Sequence, residues 1–275
     1  MISTGLLTLA ATVPAQAQIV APAGRTLFNR GVMLRSFVRL DNFHESAPGV
    51  QVRRVVNPYA LIWGAAPNLS LSFVVPLVVL DRDAPGNGLL DDTRTGTGDL
   101  SVFARYDLVL KNVPGGSTRL SPEFGVKFPT GGAFGTGSTD LTGTLIFSHV
   151  RNPHWLVTDI QFGYKTTGDN KLRAGNLWRI DLAYLYQFPP RKPGGGGGLL
   201  FDFELNGIFS ERSRIQGAEI PGSGGDLLFF TSGIEYFLSR RSILELAVSV
   251  RIHEDLNGSQ DRPTASLIAG FRWLM

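Results

Sequence analysis

Charged side chains recur at alternating positions along much of this 275-residue sequence, and that spacing is where its chemistry has to be sought. Arg35 and Arg39, Arg105 and Asp107, Glu123 and Lys127, Arg179 and Asp181, and Asp202 and Glu204 stand two or four residues apart, among apolar neighbours. Glu235, Glu245, Arg251 and Arg272 follow at wider intervals. Side chains two apart on an extended strand share a face, so these fourteen groups are expected on one polar surface. Both signs are mixed. Such groups can neutralise one another and fill a space, or line a narrow polar path.

Reactive constellations are scarcer. Cysteine is absent, which removes disulfides, thiolate metal sites and cysteine nucleophiles together. Ser148 and His149 are neighbours, but adjacent strand residues point to opposite faces, so they do not assemble a nucleophile with its base. An envelope lipase is thereby disfavoured. His44, His154 and His253 are expected in connections, without a nucleophile beside them. Asp81, Asp83, Gly86 and Asp92 occupy positions one, three, six and twelve of a calcium-loop register. Pro85 stands at the fifth position, where an oxygen ligand belongs, so an acidic surface loop is expected instead. The glycine-rich stretches TRTGTGD and PTGGAFGTGSTD open no helix and are not phosphate cradles. No catalytic residue, no metal and no cofactor is expected.

Only strands can hold charges at that spacing between large apolar residues. From 199 to 209 one face reads Leu199, Phe201, Phe203, Leu205, Gly207, Phe209, and the other Leu200, Asp202, Glu204, Asn206, Ile208. The same alternation runs through 99–110, 119–129, 178–188, 244–252 and 265–273. Strands are expected at 26–40, 52–64, 69–80, 99–110, 118–129, 140–150, 155–165, 176–188, 199–209, 226–237, 243–252 and 264–275. The most apolar run, Leu69 to Leu80, contains Pro76 and falls short of the roughly 20 residues a membrane helix needs.

Connection lengths alternate too. Those at 65–68, 111–117, 151–154 and 238–242 are short, while 41–51, 81–98, 210–225 and 253–263 are long and polar. The glycine-rich turn at 189–198 breaks the rule and reads as a flexible tether. The expected fold is all-β: a transmembrane antiparallel β-barrel of about 12 strands, with N- and C-termini on the short-turn, periplasmic side. Trp63, Trp155, Tyr184, Tyr186, Tyr236 and Trp273 near one end, and Tyr164 and Trp178 near the other, suit two interfacial girdles. An Arg held in hydrocarbon costs about 2–4 kcal/mol, so the charged face should turn to the lumen and the apolar face to outer-membrane lipid.

Composition fits a strand-rich exported chain. The hydrophobic share of 43% excludes a disordered chain, and 33 Gly supply many turns. Twenty-six basic against 23 acidic residues, scattered singly, exclude a nucleic-acid partner. Residues 1–17 carry an apolar stretch and end Ala15-Gln16-Ala17, resembling a secretory signal peptide shortened at its basic start; one barrel domain, 18–275, would follow.

Four segments are similar to a broad family of outer-membrane proteins assigned, as transporters, to the meta-pathway of phenol degradation. They are WGAAPNLSLSFVVPL (63–77), GDLSVFARYDL (98–108), GVKFPTGGAFGTGSTDL (125–141) and GGDLLFFTSGIEYFL (224–238). The resemblance implies an outer-membrane barrel that admits small-molecule solutes, hydrophobic or aromatic ones among them. Many such barrels end in Phe, whereas this sequence ends Phe271-Arg272-Trp273-Leu274-Met275; Phe271 and Trp273 are then the aromatics left for the outer-membrane assembly machinery.

Overall fold

A computed structural model describes residues 30–43, 51–83, 92–188, 197–258, 260 and 263–275. The leader (1–17), the start of the first expected strand (26–29), His44, the centre of the acidic loop (84–91) and most of the glycine-rich turn (189–196) lie outside the described residues.

Alternating sequence becomes a closed sheet. The strands are β1 (Val32–Phe43), β2 (Gln51–Ala66), β3 (Leu69–Asp83) and β4, which comes in three pieces (Asp92–Thr97, Ser101–Tyr106, Val109–Val113). Then follow β5 (Gly116–Lys127), β6 (Asp140–Arg151), β7 (His154–Tyr164), β8 (Leu177–Phe188), β9 (Leu199–Ser210), β10 (Gly225–Phe237), β11 (Ser242–Leu256) and β12 (Pro263–Leu274). Each is antiparallel to its neighbours in sequence, and β12 returns to β1, pairing Leu274 with Met33 and Ser266 with Asp41. Closure removes the sheet edges whose bare N–H and C=O groups hydrocarbon cannot satisfy. The start of β1 and the end of β12 share the rim of the short turns 67–68, 114–115 and 152–153; the connections 128–139, 165–176 and 211–224 crowd the other rim.

The two faces divide as the alternation requires. Leu34, Leu61, Val75, Leu145, Ile160, Ile180, Leu205, Leu246 and Leu267 are exposed on the outside. Their sequence neighbours point inward and are buried: Arg35, Ala60, Val74, Ile146, Asp159, Asp181, Glu204, Glu245 and Ser266. Trp63, Tyr184, Tyr236 and Trp273 are exposed toward the short-turn rim, and Tyr164 and Trp178 toward the other. Trp155 departs from the expected girdle. It shares its parity with Val157 and Asp159 and packs inward against the cluster of Ile146, Val157, Ala183, Leu185 and Leu200.

Three further expectations change. The long connection at 81–98 is largely a hairpin, because β3 runs on to Asp83 and Asp92–Thr97 returns along it. His253 lies inside β11 and His154 opens β7, so neither sits in a connection. The strand expected at 99–110 is interrupted twice. Opposite Pro76, which has no N–H to donate, three residues of β4 (98–100) face two of β3 (75–76). Asp99, within the bulge, is buried on the inner side with Ser101 and Arg105. Pro58, the cross-strand partner of Pro76, coincides with a gap in the β1–β2 register at Phe37 and Val38.

Two glycines make room for the inner side chains. A Cβ on Gly125 would come within 2.4 Å of the Phe103 ring, its cross-strand neighbour. One on Gly270 would meet Glu245 Oε2 at 2.7 Å and Phe37 Cβ at 2.9 Å.

Candidate functional site: the charged inner wall

Of the fourteen charged residues picked from spacing, Arg39 and Arg251 are half-buried and the other twelve are buried. The barrel sorts them into groups that spacing could not have joined.

Along β4 and β5 the charges run from rim to rim. Nearest the short turns, Arg119 Nη1 lies 2.8 Å from Asp107 Oδ2, and Ser121 Oγ donates to Asp107 Oδ1 at 2.7 Å. Next come Arg105 and Glu123, cross-strand partners whose Nη2 and Oε2 are 2.9 Å apart. Toward the long-loop rim, Lys127 Nζ stands 2.9 Å from Asp140 Oδ2 and 3.2 Å from Asp99 Oδ2, and Lys165 Nζ lies 3.1 Å from Asp140 Oδ2. Asp99 also anchors the 128–139 connection, accepting from the Gly131 and Thr136 amides at 2.9 Å each and from Thr136 Oγ1 at 2.7 Å.

A second group spans β10, β11, β12 and β1. Glu245 lies between two guanidiniums, with Arg35 Nη2 at 3.0 Å from its Oε2 and Arg272 Nε against its Oε1. Arg272 Nη2 also reaches Glu235 Oε1 at 2.8 Å, and the Arg35 guanidinium sits 5.0 Å from the Phe37 ring centre. Farther along β1, Asp41 takes Arg39 Nε at 2.6 Å and Arg54 Nη2 at 2.5 Å, with Ser266 Oγ donating at 2.6 Å. Arg251 stands apart, at 2.9 Å from Glu254.

The third group joins β8 to β11. Arg179 Nε meets Asp181 Oδ2 at 2.6 Å, and Asn206 Nδ2 donates to Asp181 Oδ1 at 2.9 Å and Glu204 Oε2 at 3.1 Å. Thr231 Oγ1 links Asn206 Oδ1 and Ser249 Oγ, at 2.9 Å each. Asp202, one turn of the pleat away on β9, is buried beside them.

Outside the fourteen, Asp41, Arg54, Asp99, Arg119, Asp140, Asp159 and Lys165 also belong to the inner wall, Asp99 and Arg119 on the polar parity that the alternation through 99–110 and 119–129 gives them. Most lie at strand ends, where a boundary error of two residues hides the parity. Asp159 was legible, because Val157 and Gln161 flank it on one face and Leu156, Thr158 and Ile160 on the other. Ser148 and His149 point apart as expected: Ser148 is buried inside, and His149 is exposed outside, with Nδ1 2.9 Å from Thr118 Oγ1. Asp81 accepts from Thr93 Oγ1 at 2.8 Å, and among the described residues no three His, Asp or Glu side chains gather around a metal position.

A closed, even-stranded antiparallel barrel, apolar outside and charged within, is an outer-membrane β-barrel. The chain belongs to the family described as "Putative MetA-pathway of phenol degradation", whose model matches residues 44–255. No curated protein sequence matches it. Among solved structures, an outer membrane channel from Pseudomonas putida F1 shares the fold at 15% identity, covering 93% of this chain and 100% of that one with a TM-score of 0.72. The β domain of a Bordetella autotransporter does so at 13% identity, 90% and 100% coverage and 0.54. The NanC porin does so at 10% identity, 88% and 98% coverage and 0.51.

Proposed function

We propose that this barrel is a passive outer-membrane channel for small organic solutes, aromatic or otherwise apolar ones among them, and that it has no catalytic centre. The observation that carries this reading is the charged track along β4 and β5, continuous from Asp107 and Arg119 to Lys127 and Asp140. Each charge taken from water costs several kcal/mol before its partner repays it, so a barrel that merely needed filling would be served better by apolar side chains. The inward apolar patch of Ile146, Val157, Leu185 and Leu200, with Trp155 against it, supports the preference for apolar solutes. The family's description concerns phenol degradation, and the Pseudomonas putida protein is described as a channel.

In this reading the fourteen spaced charges line the passage, the short-turn rim with both barrel ends faces the periplasm, and the long loops face outward. Residues 1–17 are the export signal and 18–275 the mature barrel, delivered by the outer-membrane assembly machinery.

A second reading, a sealed structural barrel, draws on the inner side chains themselves, since Asp181 and Ala183 are 0% exposed and Glu123 and Asp202 1%. Liposome swelling separates the two. Barrels refolded into vesicles are expected to admit phenols faster than sugars, and joint replacement of Arg105 and Glu123 by Ala to raise the rate for both. Absence of swelling with every solute, from barrels that migrate as folded, overturns the channel.

A further inference from the structure

The outer wall turns polar beside the short turns that join β4 to β5 and β6 to β7. The register sets Lys111 opposite Thr118, Thr118 opposite His149, and Arg151 opposite His154, with Tyr184 diagonally across from His154 on β8. Residues paired across a ladder share a face, and this face is the outer one, where Phe124, Leu145, Leu156 and Leu182 are exposed on the same strands. Lys111, His149, Arg151, His154 and Tyr184 are exposed as well. Tyr184 belongs to the aromatic girdle, so the patch runs from headgroup depth outward to the turns.

Its cations differ from those within. The inner wall pairs its arginines and lysines with carboxylates, but neither the Lys111 ammonium nor the Arg151 guanidinium has a side-chain partner among the described residues. No Asp or Glu among the described residues is exposed at this rim on β4 to β8. The long-loop rim is mixed, with Arg212 and Arg214 set against Glu219. Each histidine is oriented by a hydroxyl: His149 Nδ1 lies 2.9 Å from Thr118 Oγ1, and His154 Nδ1 lies 2.7 Å from Tyr184 Oη. A hydroxyl donating to Nδ1 leaves the hydrogen on Nε2, so both rings present an N–H donor beside the two cations.

We infer that this patch is a binding site for the headgroup of an anionic phospholipid in the adjoining leaflet. Lys111 and Arg151 stand two strands apart, about 10 Å, a gap that one phosphodiester fills when two long side chains reach toward it. The histidine N–H groups add donors to the phosphate oxygens. Exposed Leu145 and Leu156, on the same face toward mid-membrane, meet the acyl chains. A zwitterionic headgroup carries its own cation, whereas an anionic one leaves a charge for the two unpaired basic groups to neutralise. A sealed barrel would bind the lipid as well as an open one, so the site does not rest on the channel reading.

The test titrates phosphatidylglycerol and phosphatidylcholine onto barrels refolded in neutral detergent, with bound lipid counted by native mass spectrometry. Wild type is expected to hold one phosphatidylglycerol about tenfold or more tightly than phosphatidylcholine, and Lys111→Gln with Arg151→Gln to lose that preference. Should the double variant not fold, Lys111→Gln alone decides, with an expected loss of about threefold or more. Arg240→Gln with Arg241→Gln removes two exposed cations from the β10–β11 turn of the same rim and should keep the preference. An equal loss in both double variants means that net charge alone draws the lipid, and overturns the site. So does the absence of any preference in wild type. Glycerophosphoglycerol, the headgroup without its chains, is expected not to displace the lipid at equal concentration; displacement would assign the patch to a soluble phosphate ester and overturn the lipid.

Discussion

The wall of β10, β11, β12 and β1 and the wall of β7, β8 and β9 carry similar residues at similar spacing, yet at Glu245 one acid bridges two guanidiniums while Asp159 makes no direct hydrogen bond among the described residues. At Glu245 the cross-strand neighbour is Gly270, where a Cβ would strike the Glu245 side chain. The gap lets one carboxylate lean across a strand and serve Arg35 and Arg272 together. At Asp159 the cross-strand neighbours are Ile146 and Asp181, and its carboxyl oxygens make no direct hydrogen bond among the described residues. Like charges placed directly opposite one another destabilise a ladder. A single small residue thus lets a buried acid become a bridge between two guanidiniums.

The comparison breaks hardest at Glu245. Glu245→Ala takes their shared partner from two buried guanidiniums, and a loss of about 3–5 kcal/mol is expected in urea unfolding from lipid vesicles followed by tryptophan fluorescence. The outer face offers the next largest effect. Val248→Arg, near the middle of β11 on the face opposite Glu245, should cost about 2–4 kcal/mol in the same titration, reporting the charge's transfer to lipid. A cost near zero would mean that Val248 does not face hydrocarbon.

Smaller and more local is Asp99→Asn. Weakening the three bonds to Gly131 and Thr136 should loosen the 128–139 connection by about 1–2 kcal/mol. Limited proteolysis should then cut that segment faster while the barrel's unfolding midpoint stays put. Smallest is Asp159→Asn, at a carboxyl group with no direct hydrogen bond to lose among the described residues. Its effect on stability in the same urea titration should stay below about 1 kcal/mol, in contrast to Glu245. A loss as large as that at Glu245 would show that Asp159 is paired after all, and would erase the difference between the walls.

Much of this was readable in one dimension. The period-two alternation located twelve strands to within a few residues, because a pleated strand leaves a side chain no choice of face once its neighbour's is known. It failed where the backbone leaves the pleat. At Pro76 a missing N–H admits a bulge, and the expected continuous strand 99–110 divides. Trp155 went astray for a different reason: its place near a rim suggested a girdle, while its parity with Val157 and Asp159 sends it inside.

The sequence by itself determined that a two-faced, even-stranded antiparallel sheet must form, and which residues share its polar face, since both follow from local geometry and hydropathy. Which charges meet was decided by strand register and by closure. Arg35 and Glu245 are 210 positions apart and come together because β12 returns to β1, bringing β11 within reach. The register of β7 against β8 set Asp159 opposite Asp181, and no spacing within either strand records that two acids share one rung.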